Sequence, residues 1–153
     1  MKLKTPVLLF IILVLPLLSS NKLSDIEKFA QQHEWMKTKS EKYEPNKEIL
    51  EKLQLNKNEK WVVIAGAWCE DTKHLLPDFY KIALEKKWDL KAIEFVEVDE
   101  NKEHKDELHK TYKVENIPVF ILFRKNKEVG RITETAPAPL EYLMLEVQNK
   151  NKK

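Results

Sequence analysis

Five consecutive apolar residues, Trp61-Val62-Val63-Ile64-Ala65, run without polar alternation into Gly66 and then into a helical stripe. An unbroken run of this kind, rich in β-branched residues, marks a strand buried on both faces, as in sheets covered by helices. Leu75, Leu76, Phe79, Ile82 and Ala83 recur at three- and four-residue spacing, so a helix starts near Cys69 and buries one side. Pro77 falls inside that helix and removes a backbone donor, which predicts a kinked axis. The turn Gly66-Ala67-Trp68 thus hands a strand to a helix, and the only cysteine of the chain sits where the helix begins.

The rest of the pattern supports an α/β chain. Ala92 to Asp99 reads as a second strand, with Ile93, Phe95, Val96 and Val98 as its apolar members. Residues Glu103 to Lys113 read as a helix, Val119 to Phe123 as a third strand and Glu128 to Thr133 as a fourth. Asn126-Lys127 is the expected hairpin turn between those two strands. A last helix runs from about Pro139 to Gln148, with Leu140, Leu143, Met144 and Val147 facing inward. The order β-α-β-α-β-β-α predicts parallel pairing of the first strands and an antiparallel hairpin closing the sheet.

Ahead of this unit, Ser24 and Glu27 have capping-box spacing and open a helix carrying Ile26, Phe29, Ala30 and Met36. Tyr43 to Pro45 interrupts it, and a second short helix follows with Ile49, Leu50 and Leu53. These helices read either as a layer covering the sheet or as a partner-binding extension.

Residues 1–20 differ in kind. Lys2 and Lys4 precede an apolar run from Val7 to Leu18, broken by Pro16 and followed by Ser19 and Ser20. That order matches a secretory signal peptide, with cleavage expected near Ser20 and export to a periplasmic or other extracytoplasmic space. The run is too short to cross ~30 Å of hydrocarbon comfortably. Membrane contact is expected only if the segment is retained as an anchor. The expected organisation is residues 1–20 signal, 21–58 helical extension, 59–148 α/β domain and 149–153 basic tail.

Charge and motifs exclude several functions. Removing Lys2 and Lys4 from the 27 Lys+Arg leaves 25 against 25 Asp+Glu, so the mature chain lacks the basic excess of a nucleic-acid binder. Gly66 and Gly130 are its only glycines, so no glycine-rich phosphate loop exists. Glu103-His104 and Asp106-Glu107-Leu108-His109 superficially suggest a metal site, but two histidines five apart diverge on a helix. His74, five residues after Cys69, reads as a surface residue. No metal and no cofactor are expected.

From about Trp61 to Val147 the chain resembles the thioredoxin family. Trp68-Cys69-Glu70-Asp71-Thr72 resembles the family's Trp-Cys-x-x-Cys segment with threonine in place of the second cysteine. Pro77 stands where the family has its helix proline, and Phe95 to Asn101 resembles the strand ending in an Asp-x-Asn-like turn. Leu108 to Phe123 resembles the helix-turn-strand segment in which Ile117-Pro118 would be the cis-proline step facing the active cysteine. Within the family, the motif is similar to a subgroup reading Trp-Cys-x-Asp followed by Ser, Thr or Cys, whose members often carry extra N-terminal helices. The resemblance implies a central mixed sheet flanked by helices. It makes Cys69 and Thr72 the catalytic positions and Trp68, Ile117 and Pro118 the groove for an extended substrate. It also shows two departures. Val63 stands where the family commonly has a buried aspartate, and Phe95 where it has the accompanying lysine.

A cysteine at a helix N-terminus meets unsatisfied N–H groups and the positive end of the helix dipole, which favour thiolate. Glu70 and Asp71 oppose this, while the Thr72 hydroxyl is placed to donate to the sulfur. Rapid release of a mixed disulfide needs a second thiol, and the chain has one cysteine. The expected activity is single-thiol exchange through Cys69 with a protein or low-molecular-weight thiol or disulfide. The competing expectation is a non-catalytic binding or chaperone-like module that uses only the groove.

Overall fold

The computed structural model describes residues 22–101, 104, 107–134 and 137–150, without the side chains of residues 108 and 109. The signal-like segment 1–20, residues 151–153 of the basic tail, and Glu103 and Asp106 lie outside the described residues.

Three helices come first: α1 (Asp25–Gln32), α2 (Glu34–Lys42) and α3 (Lys47–Lys52). The reciprocal Ser24/Glu27 capping box does open α1. The single helix expected through Met36 instead breaks at His33, whose backbone is extended. Its two halves pack in different places, α1 against β2 (Glu94–Glu97) and α2 against α4 (Glu70–Glu85). One straight helix cannot serve both contacts.

The sheet has the order β2-β1-β3-β4, with β1 spanning Glu59–Ala65, β3 Val119–Arg124 and β4 Lys127–Thr133. β1 pairs parallel with β2 and antiparallel with β3, and β3 pairs antiparallel with β4. Alternation along β1 sends Trp61, Val63 and Ala65 into one core with the helices, and Val62 and Ile64 into a second with Val96, Val98 and Ile121. Both faces are covered, which is why that strand carries no polar residue between Trp61 and Ala65.

Local chemistry moved several boundaries. Leu90–Ala92 is a 3-10 turn capped by the Asp89 side chain, so β2 is shorter than the apolar run. Among the described residues between 103 and 113, only α5 (Leu108–Thr111) is helical. Glu107 before it and Lys113 after it both have positive φ, which ends a right-handed helix. The hairpin turn is Lys125-Asn126, one residue earlier than expected. Both residues have positive φ, as a two-residue turn matched to strand twist requires. α6 (Leu140–Asn149) closes the chain, starting just after Pro139.

The N-terminal helices share the main core. Ile26, Phe29, Met36, Leu50 and Leu53 pack in the same cluster as Trp61, Phe79 and Phe120. A polar clasp ties them to α6. Glu141 is 2% exposed and accepts hydrogen bonds from Tyr43 Oη at 2.5 Å and Asn46 N at 2.9 Å. Beside it, Asp78 of α4 has its carboxyl pushed up to about 7, first by burial and then by the Glu141 charge, against a smaller pull from Lys39.

The sign of that shift predicts a pH effect. The folded chain holds the Asp78 proton more tightly than the unfolded chain. It therefore loses stability as pH rises between 3.8 and about 7. Asp78→Asn is expected to stabilise the protein at pH 8 by about 1 kcal/mol, a value discounted because the carboxyl keeps some solvent contact. Urea midpoints at pH 4.5 and pH 8 check this. Wild type and variant running parallel across that range would refute it.

Candidate functional site

The exit of β1, the exit of β2 and the entry to β3 meet at one end of the sheet. Val98 N donates to Ala65 O at 2.9 Å and so fixes the two exits side by side. The Ile117–Pro118 peptide bond is cis, and Pro118 O accepts from Glu134 N at 3.0 Å at the end of β4.

Cys69 occupies the N-cap position of α4 with extended backbone. Its N–H donates to Gly66 O at 3.1 Å, and its carbonyl accepts from Lys73 N at 3.1 Å, the first bond of the helix. The half-buried thiol donates to Ile117 O at 3.4 Å. That contact ties the sulfur to the cis-proline step across 48 residues of chain. Trp68 beside it is 39% exposed, and its indole Nε1 donates to Val98 O at 3.2 Å.

Thr72 lies one helical turn on and is fully buried. Its Oγ1 accepts from Gly66 N at 3.5 Å, so the hydrogen bond it makes is to the turn rather than the expected one to the sulfur. Of the two acids following Cys69, Glu70 is held by Lys73 at 2.5 Å. The bond to Lys73 and its charge lower the Glu70 carboxyl below its ordinary value. The lysine thereby offsets one of the two negative charges that follow Cys69. His74 is exposed.

Val63 and Phe95 are register partners in β1 and β2. Phe95 meets the Phe29 ring at a centroid distance of 5.0 Å. Where an acid and a lysine were implied by the resemblance, the chain has an apolar pair roofed by α1. Among the described residues, no group of three or more His, Cys, Asp or Glu is arranged to hold a metal ion. A cavity of about 790 Å³ between α1 and β2, lined by Lys28, Phe29, Glu94 and Phe95, includes none of the residues around Cys69.

Two participants were not singled out from the sequence. In the sequence Gly66 marks only a turn, although it is one of two glycines in the chain. The sequence marks Val98 only as an apolar strand residue, because its role here is carried by its backbone carbonyl.

A family model described as thioredoxin matches residues 21–149. No curated protein matches the chain. Among solved structures it is similar to thioredoxin f2 of Chlamydomonas reinhardtii, at 22% identity over 63% of this chain and 84% of that one, TM-score 0.44. Fasciola hepatica thioredoxin aligns at 23% identity over 65% and 88%, TM-score 0.45. Mitochondrial thioredoxin 3 of Saccharomyces cerevisiae aligns at 20% over 58% and 78%, TM-score 0.44.

Proposed function

We propose that this chain, which belongs to the thioredoxin family, is a monothiol exchanger that takes up and releases disulfide partners through Cys69 alone. Its fold is the thioredoxin fold, a mixed four-stranded sheet flanked by helices. The observation that carries the reading is the Cys69 sulfur, held at 3.4 Å from Ile117 O beside Pro118 and next to an exposed Trp68. A partner segment laid extended along Ile117-Pro118 would bring its own sulfur to Cys69 by strand addition.

In the exchange, the Cys69 thiolate attacks one sulfur of a disulfide R–S–S–R′. A bond forms between Sγ and the R sulfur as the original S–S bond breaks. R′–S⁻ leaves with the bonding pair and takes a proton from water. The protein is then a mixed disulfide. Because the chain has no other cysteine, an external thiolate must attack the R sulfur and return Cys69 as thiolate. The two steps together exchange one thiol for another with no net redox change.

This reading includes the finer assignment to the Trp-Cys-x-Asp-Ser/Thr/Cys subgroup, supported by Trp68-Cys69-Glu70-Asp71-Thr72 and the helices before β1. It also includes export, supported by the charged start and apolar run of residues 1–20. Among the described residues, no helix is long and apolar enough to cross a membrane.

Incubation with oxidised glutathione followed by intact mass measurement tests the exchange. One adduct is expected, forming faster on the folded protein than in urea and absent from Cys69→Ser. An adduct that forms no faster on the folded chain than on the unfolded one would overturn the reading.

A further inference from the structure

We infer that Gly66 is the positioning residue of the Cys69 site, an assignment that rests on the exchange reading above. Gly66 does not have positive φ, so its backbone conformation is open to any residue. Space is what demands glycine there. A Cβ on Gly66 would stand 2.6 Å from Trp68 Nε1, 2.8 Å from Val98 O and 3.1 Å from Ile117 Cδ1.

Those three atoms belong to the three segments that form the site. Trp68 is on the turn out of β1, Val98 follows β2, and Ile117 precedes β3. The indole nitrogen and the Val98 carbonyl oxygen that it bonds both lie within 3 Å of the place a Gly66 side chain would start. The same residue bonds to Cys69 and to the buried Thr72 through its backbone. Its carbonyl accepts from Cys69 N, and its N–H donates to Thr72 Oγ1. Gly66 therefore sets the separation between the nucleophile's turn and the two walls, Trp68 and Ile117, against which a partner chain lies.

A methyl group at this position must displace something. Val98 O is backbone, and its residue is already bonded to Ala65, so it yields least. The indole moves out and Ile117 moves back. The sulfur stays at the helix N-terminus, where small reagents still reach it, but an extended partner loses its seat.

Two probes separate positioning from simple reactivity. One is a short unstructured peptide whose cysteine is capped with thionitrobenzoate, and the other is iodoacetamide. Gly66→Ala is expected to slow exchange with the peptide about tenfold while alkylation changes less than about twofold. Trp68→Phe, which removes the indole donor but keeps Gly66, is expected to show the same peptide-selective loss. The double variant should be no slower than Gly66→Ala alone, because both changes break one arrangement. The Trp68 component of the emission, taken as the difference from Trp68→Phe, should shift to the red in Gly66→Ala.

Wild-type peptide exchange with equal exchange in Gly66→Ala overturns the assignment and leaves the exchange reading standing. Peptide and iodoacetamide rates that fall together also overturn it, since they report a merely structural role. If Gly66→Ala does not fold, an unchanged peptide rate in Trp68→Phe overturns it instead. A wild-type protein that reacts with neither the peptide nor oxidised glutathione removes the exchange reading, and this assignment with it.

Discussion

Phe29→Ala is expected to cost about 3–5 kcal/mol of stability, as truncation of a buried aromatic ring does. Phe29 is 2% exposed on α1, and its ring meets Phe95 at 5.0 Å and Trp35 edge-on at 6.0 Å. The substitution opens a cavity at the seam between the N-terminal helices and β2. A domain is commonly stable by only about 5–15 kcal/mol, so the loss would be a large fraction of the total. A fall in urea midpoint with unchanged denaturant slope checks it. A loss below about 1 kcal/mol would show that α1 does not unfold with the sheet. The result bears on the site because Phe95 stands where the family resemblance implies a lysine. An apolar residue there is stable only while an apolar roof covers it.

Glu59→Ala has the second large expected effect, at the far end of β1. The Glu59 side chain is 1% exposed and accepts from Arg124 Nε at 2.7 Å and from Asn56 Nδ2 at 2.8 Å. Arg124 also donates to the carbonyls of Gln148 and Lys150, at the C-terminal end of α6. Gln148 in turn bonds Gln54 through both its amide oxygen and its amide nitrogen. Removing the carboxylate leaves a guanidinium without its main counter-charge, at a cost of about 3 kcal/mol. Glu59→Gln should cost less, because an amide oxygen still accepts from Arg124.

The pH dependence follows from the direction of the Glu59 shift. Burial raises the carboxyl, but the Arg124 and Asn56 hydrogen bonds together with the Arg124 charge outweigh it, so the net shift is downward. A carboxylate lowered in the folded state contributes stability above its unfolded value of about 4.5, and that contribution is lost as pH falls through the folded value. Wild type should therefore lose stability relative to Glu59→Gln on acidification below pH 4.5. Acid unfolding curves that superimpose for the two proteins would contradict this.

Much of the architecture is visible in residue order because it depends on short periods. Five apolar residues without alternation mark β1, and the spacing from Leu75 to Ala83 marks α4. Ser24 and Glu27 mark the start of α1 because a capping box is closed within four residues. Boundaries drifted where tertiary contacts or positive φ intervened. The break at His33 serves two packing directions, and Glu107 and Lys113 confine the helical residues around 108–111. The turn at Lys125-Asn126 contains no glycine to advertise it.

The site divides the same way. Cys69 stands out from the sequence as the lone thiol at a strand-to-helix turn, and the resemblance adds Trp68, Thr72, Ile117 and Pro118 around it. The requirement for an external thiol in any exchange cycle also follows from sequence, because composition alone excludes a second cysteine. Only the tertiary structure decided that the sulfur bonds Ile117 O, that Thr72 bonds Gly66, and that Gly66 leaves no room for a side chain. It also decided that the charge of buried Glu141 bears on the partly buried Asp78 carboxyl. The reason is separation along the chain. Helix and strand periods encode contacts a few residues apart, whereas Gly66 meets Val98 and Ile117, and Phe29 meets Phe95, only once the sheet has assembled.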